Sequence, residues 1–477
     1  MSETIAAIST PPGEGGIGIV RISGPESESV MKRMMLNHPD FIEPRHAYFG
    51  KVVSDSSDIN NDGSEIIDEA LFIYMKAPHS YTGEDMLEIQ GHGSNVSLRR
   101  ILYSVLNKGN ENIRMAEPGE FTKLAFLNGK MDLSQAEAVI DIIKAKSDLS
   151  LEIAQGQREG RLSYTIRSIR EQLLDILAQM AVHIDFPEED EENTGHENYD
   201  DTVNDLIELR NKLIRLADTA SIGRIAKEGV RAAIIGKPNA GKSSLMNAVL
   251  GEGRVIVTDV PGTTRDTVEE SAVIGGIPIV LVDTAGLRDT DDKVEKIGID
   301  RSIKAASSAD IVILVIDGSE KPDDEDIRLI DTISRIDPEH MIVVINKEDL
   351  GLNYVDDIKY IVNKAINDKC RFIITSLLGN AAMDAAVNIS DTVADIFESE
   401  KINLRETNII SNQRHLELLN RSIDDINESI NILSNGEPVE VAELSAHYAY
   451  EELGRIIGEE IEDEVLDTVF SKFCLGK

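Results

Sequence analysis

Three kinds of periodicity divide the chain. Up to residue 128, short apolar runs such as Ile17 to Ile22 and Leu71 to Met75 alternate with Gly, Pro and Asn punctuation. That alternation predicts strands and turns of an α/β domain. From Ser134 the spacing turns helical. Ser134 and Glu137 match a capping box, and Ala136, Val139, Ile140 and Ile143 follow at i, i+3, i+4, i+7. Ile166, Ile169, Leu173, Ile176, Leu177 and Met180 extend a helical stripe. Between about residues 226 and 385 strands alternate with helices, the doubly wound arrangement that binds ligands at the carboxyl ends of its strands. Helical spacing resumes with Leu416, Leu419, Ile423, Ile426, Ile430 and Leu433. Neither helical block makes a complete bundle, so the two are expected to pack together with the α/β domain inserted between them. The expected segments are 1–128, 129–225, 226–385 and 386–477.

The inserted domain carries the chemistry. Gly236-Lys237-Pro238-Asn239-Ala240-Gly241-Lys242-Ser243 fits the phosphate-cradling pattern G-x-x-x-x-G-K-[ST] and stands between a predicted strand, Ala232 to Ile235, and a predicted helix from Ser244. Glycines aim backbone N–H groups at phosphate oxygens, and the helix N-terminus adds a favourable field. Lys242 is placed to reach the β- and γ-phosphates and Ser243 to hold Mg²⁺. Asp283-Thr284-Ala285-Gly286 ends a second apolar run, with Asp283 on the Mg²⁺ side and the Gly286 amide toward the γ-phosphate. Thr263-Thr264-Arg265-Asp266 stands where a switch loop supplies another hydroxyl to Mg²⁺. Asn346-Lys347-Glu348-Asp349 closes the strand Met341 to Ile345. The Asp349 carboxylate matches the two N–H groups on the guanine edge; ATP would leave a buried Asp349 unpaired, which selects for guanine. Ser376-Leu377-Leu378 stands where this class usually has Ser-Ala, so a bulkier pocket wall is expected at Leu377.

The remaining composition narrows the setting. The 477 residues are 41% hydrophobic, ample for several cores, and no apolar run approaches the length needed to span a membrane. The amino terminus lacks the basic and apolar regions of a signal peptide. Two cysteines, Cys370 and Cys474, make no disulfide framework, which suits a reducing cytoplasm. A formal charge of −38 opposes direct RNA binding, so any RNA would be held by a local basic patch or a partner. Part of the acidity lies in Pro187 to Glu192, read as a solvated loop.

One catalytic part is missing. Ras-type GTPases orient the attacking water with a glutamine just after Asp-x-x-Gly. Here Leu287 and Arg288 follow Gly286. Leucine cannot hold water, so another group must position it, and the candidates lie in the segment Asp289 to Glu295. Arg288, an external arginine or a bound monovalent cation would neutralise the charge developing between the phosphates. Asn239 bears on that choice: its side-chain carbonyl is an oxygen ligand inside the phosphate loop, although asparagine also stabilises turns, and the residues alone leave both roles open.

The chain resembles the MnmE (TrmE) family of tRNA-modifying GTPases along nearly its whole length. The resemblance is carried by Thr10 to Gly24 with Pro11-Pro12-Gly13-Glu14-Gly15-Gly16, by Ser80 to Asp85, Gly91-His92-Gly93, Pro118 to Thr122, Ala125 to Leu133, and the terminal Phe473-Cys474-Leu475-Gly476-Lys477. It implies an N-terminal α/β domain that binds tetrahydrofolate and dimerises, a split helical domain, and an inserted doubly wound Ras-like P-loop GTPase domain. It further implies that Arg21, Glu88, Lys130 and Lys477 contact 5-formyl- or methylene-tetrahydrofolate. Asn239, Thr258, Val260 and Thr263 would hold K⁺, and Ser243 and Thr264 would hold Mg²⁺. Asn239 to Ser244, the switch Thr258-Asp259-Val260-Pro261-Gly262-Thr263-Thr264, Asp283 to Gly286, Asn346, Lys347, Asp349, Ser376 and Leu377 would contact GTP. Glu295 would orient the catalytic water, with Lys242, Thr264 and Arg288 the other catalytic candidates. Cys474 is either a modification residue or a small packed hydrophobe. The family works as a homodimer with the flavoprotein MnmG (GidA), in a heterotetramer or larger complex, and that partner brings FAD and most of the tRNA contact. Glu14, Ser94 and Leu377 depart from the family pattern. A ribosome-assembly or signalling switch without modification chemistry, and a scaffold that hardly turns GTP over, are the rival readings.

Overall fold

The computed structural model describes residues 3–54, 65–106, 112–185, 199–252, 269–274, 277–283, 305–366, 370–401, 408–459 and 461–476. The chain forms two units: Met1–Ile140 with Gln157–Leu177 and Ala446–Lys477, and Asp141–Gly156 with Ala178–Ser445.

In the first unit, β1 (Thr4–Ile8), β2 (Gly15–Ser23), β3 (Ala47–Val53), β4 (Ile66–Met75), β5 (Met86–Gly93) and β6 (Ile113–Met115) form one sheet in the order β3-β4-β5-β2-β1-β6. All neighbours are antiparallel except β1 and β6. Alternation sets its two faces. Val20, Ile22, Phe72, Leu87 and Ile89 point toward Val30, Met31 and Met34 of the helix Ser27–Met34 and Leu98, Ile101 and Val105 of the helix Asn95–Leu106. The opposite face of β1, Ile5 and Ala7, packs on Ala116 and Phe121. Leu133, Ala136, Val139 and Ile140 bury against Leu466, Val469, Phe470 and Phe473 from the end of the chain. Arg170, on the helix Arg161–Asp185, lies 4.0 Å over the Tyr450 ring, donates to the Tyr450 carbonyl at 3.2 Å and ion-pairs with Glu459.

The cap of the helix Leu133–Lys144 differs from expectation. Asp132 N–H donates to Gln135 Oε1 at 2.9 Å while Asp132 Oδ1 accepts from Gln135 N–H at 3.1 Å, so the reciprocal box sits two residues earlier than Ser134 and Glu137. Ser134 instead donates to Asp132, and Glu137 is buried within the helix. Ile143 is exposed, unlike the other residues of its predicted stripe. The stripe from Ile166 to Met180 is buried throughout.

The second unit is built on β7 (Val230–Ile235), β8 (Glu269–Ile274), β9 (Ile277–Asp283), β10 (Ile311–Asp317), β11 (His340–Asn346) and β12 (Cys370–Ile374), ordered β12-β11-β10-β7-β9-β8. Only the β8–β9 pair is antiparallel. The central strands read as continuous apolar runs because both faces are covered. Ile311, Ile313 and Val315 enter one core with Leu245, Val249 and Ile389, and Val312, Leu314 and Ile316 enter another with Ile330, Ile333, Ile358 and Val362. Alongside, the helices Asp200–Ala217 and Gln413–Ser434 lie against one another, tied by Arg210 Nη1 to Asn427 Oδ1 at 3.1 Å. Leu419, Ile426, Ile430 and Leu433 are buried as expected, while Leu416 and Ile423 are half-buried. Buried His415, Ser422 and Ser429, seven residues apart, share that interior and broke the apolar pattern.

Among the described residues, no helix is long and apolar enough to cross a membrane, and no group of three or more His, Cys, Asp or Glu is placed to hold a metal.

Candidate functional site

The carboxyl ends of β7, β10 and β11 converge, and the motifs of the inserted domain leave from them. β7 runs into the phosphate loop, and the helix Lys242–Glu252 starts on its far side. Asn239 is exposed in left-handed backbone, φ 63°, a conformation that asparagine tolerates. Lys242 Nζ donates to the Gly236 and Lys237 carbonyls at 2.8 Å each, which curls the loop around its own lysine. Ser243 and Ser244 are exposed at the helix start. Backbone donors, a lysine and a hydroxyl at a helix N-terminus suit a polyphosphate with its cation.

A single side chain ties the motifs together. Asn346 Nδ2 donates to the Ala240 carbonyl at 2.7 Å, and its Oδ1 accepts the Leu377 N–H at 3.0 Å. Phosphate loop, base motif and the loop after β12 thus meet at one buried amide. Asp349 accepts from Ser376 Oγ at 2.6 Å, and Lys347, in left-handed backbone, ion-pairs with Asp317 at 2.5 Å. Burial works to raise the Asp317 pKa, but Lys347 and Ser319 outweigh it and hold the carboxyl below its ordinary range. The Leu377 side chain turns into the core with Leu245, Ile373 and Ala385. Asp349 is exposed, which corrects the expectation of a buried carboxylate.

Asp283 closes β9 opposite Ile234. The switch residues Thr258, Asp259, Val260, Pro261, Gly262, Thr263 and Thr264, the residues Thr284, Ala285, Gly286, Arg288 and Glu295, the acidic stretch Pro187 to Glu192, and Lys477 lie outside the described residues.

A second cluster occupies the first unit. Arg21 on β2 and Glu88 on β5 are register partners. Arg21 Nε and Nη2 both donate to Glu88 Oε1, at 3.1 and 2.9 Å, and Gln90 Nε2 donates to Glu88 Oε2 at 3.1 Å. The guanidinium sits 5.8 Å from the centroids of both Tyr81 and Phe121, and its Nη1 donates to the Gly476 carbonyl at 3.2 Å. Tyr81 bonds Thr122 at 2.9 Å, and burial raises its hydroxyl pKa. Lys130 Nζ donates to the Pro78 carbonyl at 2.9 Å, with its stem beside Gly83. The loop from Ala77 to Asp85 therefore touches both Arg21 and Lys130. Cys474 is exposed, so it does not pack as a hydrophobe; buried Phe473 anchors the terminus instead. Glu14 is exposed, and Ser94 accepts the Leu98 N–H at the start of the helix Asn95–Leu106. Tyr81 and Phe121 stand in motifs that carry the resemblance, but their stacking on Arg21 needed the sheet register to be seen.

A mostly parallel sheet in this order, a phosphate loop after β7 and an Asn-Lys-x-Asp loop after β11, two strands away, define a guanine-nucleotide hydrolase of the P-loop class. Comparison with known proteins narrows this. Residues 4–130 match the family model described as GTP-binding protein TrmE N-terminus, and residues 133–474 match the MnmE helical domain. A protein of Clostridioides difficile (strain 630) called tRNA modification GTPase MnmE is 42% identical over the full length of both chains. Proteins of the same description from Ligilactobacillus salivarius (strain UCC118) and Finegoldia magna are each 41% identical; all of this chain is covered, with 98% and 100% of theirs. The chain belongs to the MnmE family. Among solved structures, the G domain of the T. maritima FeoB iron transporter is similar over 34% of this chain and 98% of its own, at 26% identity and a TM-score of 0.24.

Proposed function

We propose that this chain is a K⁺-stimulated GTP hydrolase that helps to install an aminomethyl-type or carboxymethylaminomethyl group at C5 of the wobble uridine, position 34, of certain tRNAs. The one-carbon unit comes from 5-formyl- or methylene-tetrahydrofolate, and the flavoprotein MnmG (GidA) is the partner that brings FAD, in a heterotetramer or larger complex. The observation that carries this reading is the pairing of a guanine-nucleotide loop with the Arg21 cluster in a chain 42% identical to a tRNA modification GTPase. A plain switch has no use for an arginine set against two aromatic rings and bonded to the Gly476 carbonyl.

The residues present suit the groups they are assigned. Arg21 and Lys130 are cations for the folate carboxylates, and Glu88 is an acceptor for the pterin edge, with Lys477 completing the set. Exposed Asn239 offers its carbonyl to K⁺, with Thr258, Val260 and Thr263 as the other ligands; a cation there supplies the electrostatic part of an arginine finger. Ser243 and Thr264 hold Mg²⁺, and Glu295 orients the water that Leu287 cannot. A homodimer is supported by the outer face of the first sheet, where Phe49 and Leu71 are register partners, 69% and 39% exposed. The charge of −38 favours a protein that meets tRNA mainly through its partner, and two cysteines without a disulfide framework suit the cytoplasm. The division into 1–128, 129–225, 226–385 and 386–477 belongs to the same proposal.

Steady-state GTP hydrolysis by the full chain is expected to be at least about tenfold faster in KCl than in NaCl. Glu295→Ala should keep GTP affinity and lose most turnover. Equal rates in the two salts would remove the cation; unchanged turnover would remove Glu295. Arg21→Ala is expected to weaken 5-formyl-tetrahydrofolate binding by about tenfold or more, measured by calorimetry, with GTP hydrolysis retained. Nucleoside analysis of wobble uridines in cells lacking the chain tests the whole: an unaltered profile ends the modification claim and leaves the GTPase.

A further inference from the structure

One acidic segment holds two lysines of the nucleotide site. Lys237, the second residue of the phosphate loop, has its Nζ 2.7 Å from Asp323 Oδ2 and 2.8 Å from Asp326 Oδ2. Its own carbonyl receives Lys242. At the other end of the same segment, Asp317 holds Lys347 of the base motif at 2.5 Å, and Gly318 N–H donates to the Asn346 carbonyl at 2.8 Å.

The carboxylates are fixed by their surroundings. Asp323 caps the helix Asp324–Ile336: its Oδ1 accepts from Glu325 N and Asp326 N at 3.0 Å each. Asp326 Oδ2 accepts the Asp323 N–H at 3.1 Å, closing a capping box. Ile330 and Ile333 sink the same helix into the core, and Asp317 is itself pinned by Ser319 N and Oγ at 3.0 and 2.6 Å. Lys237 is 20% exposed. Burial alone would push its ammonium pKa down, but the two carboxylates raise it, while Lys237 and the cap bonds pull Asp323 to about 2. Lys237 therefore stays charged and faces two carboxylates of the protein, so its charge is directed at protein rather than at phosphate.

We propose that the segment Asp317–Asp326 is a brace that fixes the spacing between the phosphate loop and the base motif, and that Lys237 is a positioning residue for GTP and GDP. Its substrate-side partner, Lys242, takes the phosphates; Lys237 keeps the loop carbonyls where Lys242 needs them. Nucleotide bridges the two loops, so their spacing sets affinity for GTP and GDP alike.

The test is binding and release of fluorescent N-methylanthraniloyl GTP and GDP by the full chain, with kcat measured at saturating GTP. Asparagine keeps both cap acceptors, so Asp323→Asn/Asp326→Asn removes charge while the helix start persists. That variant and Lys237→Gln are each expected to weaken GTP and GDP equally, by about tenfold, through faster release. Turnover at saturation should stay within about threefold, and the combined variant should be no worse than Lys237→Gln alone. Lys237→Arg should restore affinity. Unchanged nucleotide affinity with a lowered Tm would reduce the contact to an ordinary ion pair. A loss confined to GTP in Lys237→Gln, with equal or tighter binding in the asparagine pair, would make Lys237 a phosphate ligand; either result overturns the brace. If Lys237→Gln fails to fold, Asp326→Asn compared with Lys237→Arg reads the same signs.

Discussion

Asp349→Asn is expected to exchange the guanine preference of this chain for xanthine. Ser376 holds one carboxylate oxygen of Asp349 at 2.6 Å, and the proposed reading sets that group against the base edge. Guanine presents two N–H donors there, and a carboxylate accepts both. An asparagine amide turns one acceptor into a donor, so donor meets donor on guanine, whereas xanthine offers a carbonyl at that position. A mismatched polar pair in such a pocket costs about a hundredfold or more in affinity. Competition of GTP and XTP against a fluorescent guanine nucleotide measures the exchange. A variant that still prefers GTP would show that Asp349 does not read the base. The exposure of Asp349 in the present structure makes the outcome sharper, since the residue has little structural work to lose.

Gly241→Ala is expected to abolish GTP binding. A Cβ on Gly241 would lie 2.2 Å from Asn346 Nδ2 and 3.2 Å from Leu377 Cδ1, on a backbone with φ +111° that side chains rarely adopt. The amide of Asn346 cannot move aside without releasing the Ala240 carbonyl and the Leu377 N–H that it joins. The phosphate loop, base motif and the loop after β12 would then part. A loss of about a hundredfold or more in GTP affinity follows, with about 2–4 kcal/mol of stability. Titration with GTP and thermal melting read the two effects. Normal GTP affinity in this variant would mean that the three loops tolerate separation.

Elements with one-sided apolar spacing were legible in the amino-acid order, and so were the motifs whose spacing is set by a phosphate. Ile166 to Met180 lie buried on one helix, and Gly236 to Ser243 join strand to helix as their pattern requires. Four kinds of feature were not legible. Polar residues in a helix interior, His415, Ser422 and Ser429, look like surface until a neighbouring helix covers them. Short-range caps are degenerate: Ser134 and Glu137 fit the capping pattern as well as Asp132 and Gln135, and only the bonds made choose between them. Charges carry no address, so Asp317, Asp323 and Asp326 counted only toward a total of −38, although each faces a lysine of the nucleotide site. The pairing of Arg21 with Glu88 needed the register of β2 with β5, which no local pattern fixes.

The bond from Arg21 to the Gly476 carbonyl joins positions 455 residues apart, so folding has to close that long loop before the cluster around Arg21 is whole, and the entropy of that closure is carried by contacts made elsewhere in the unit.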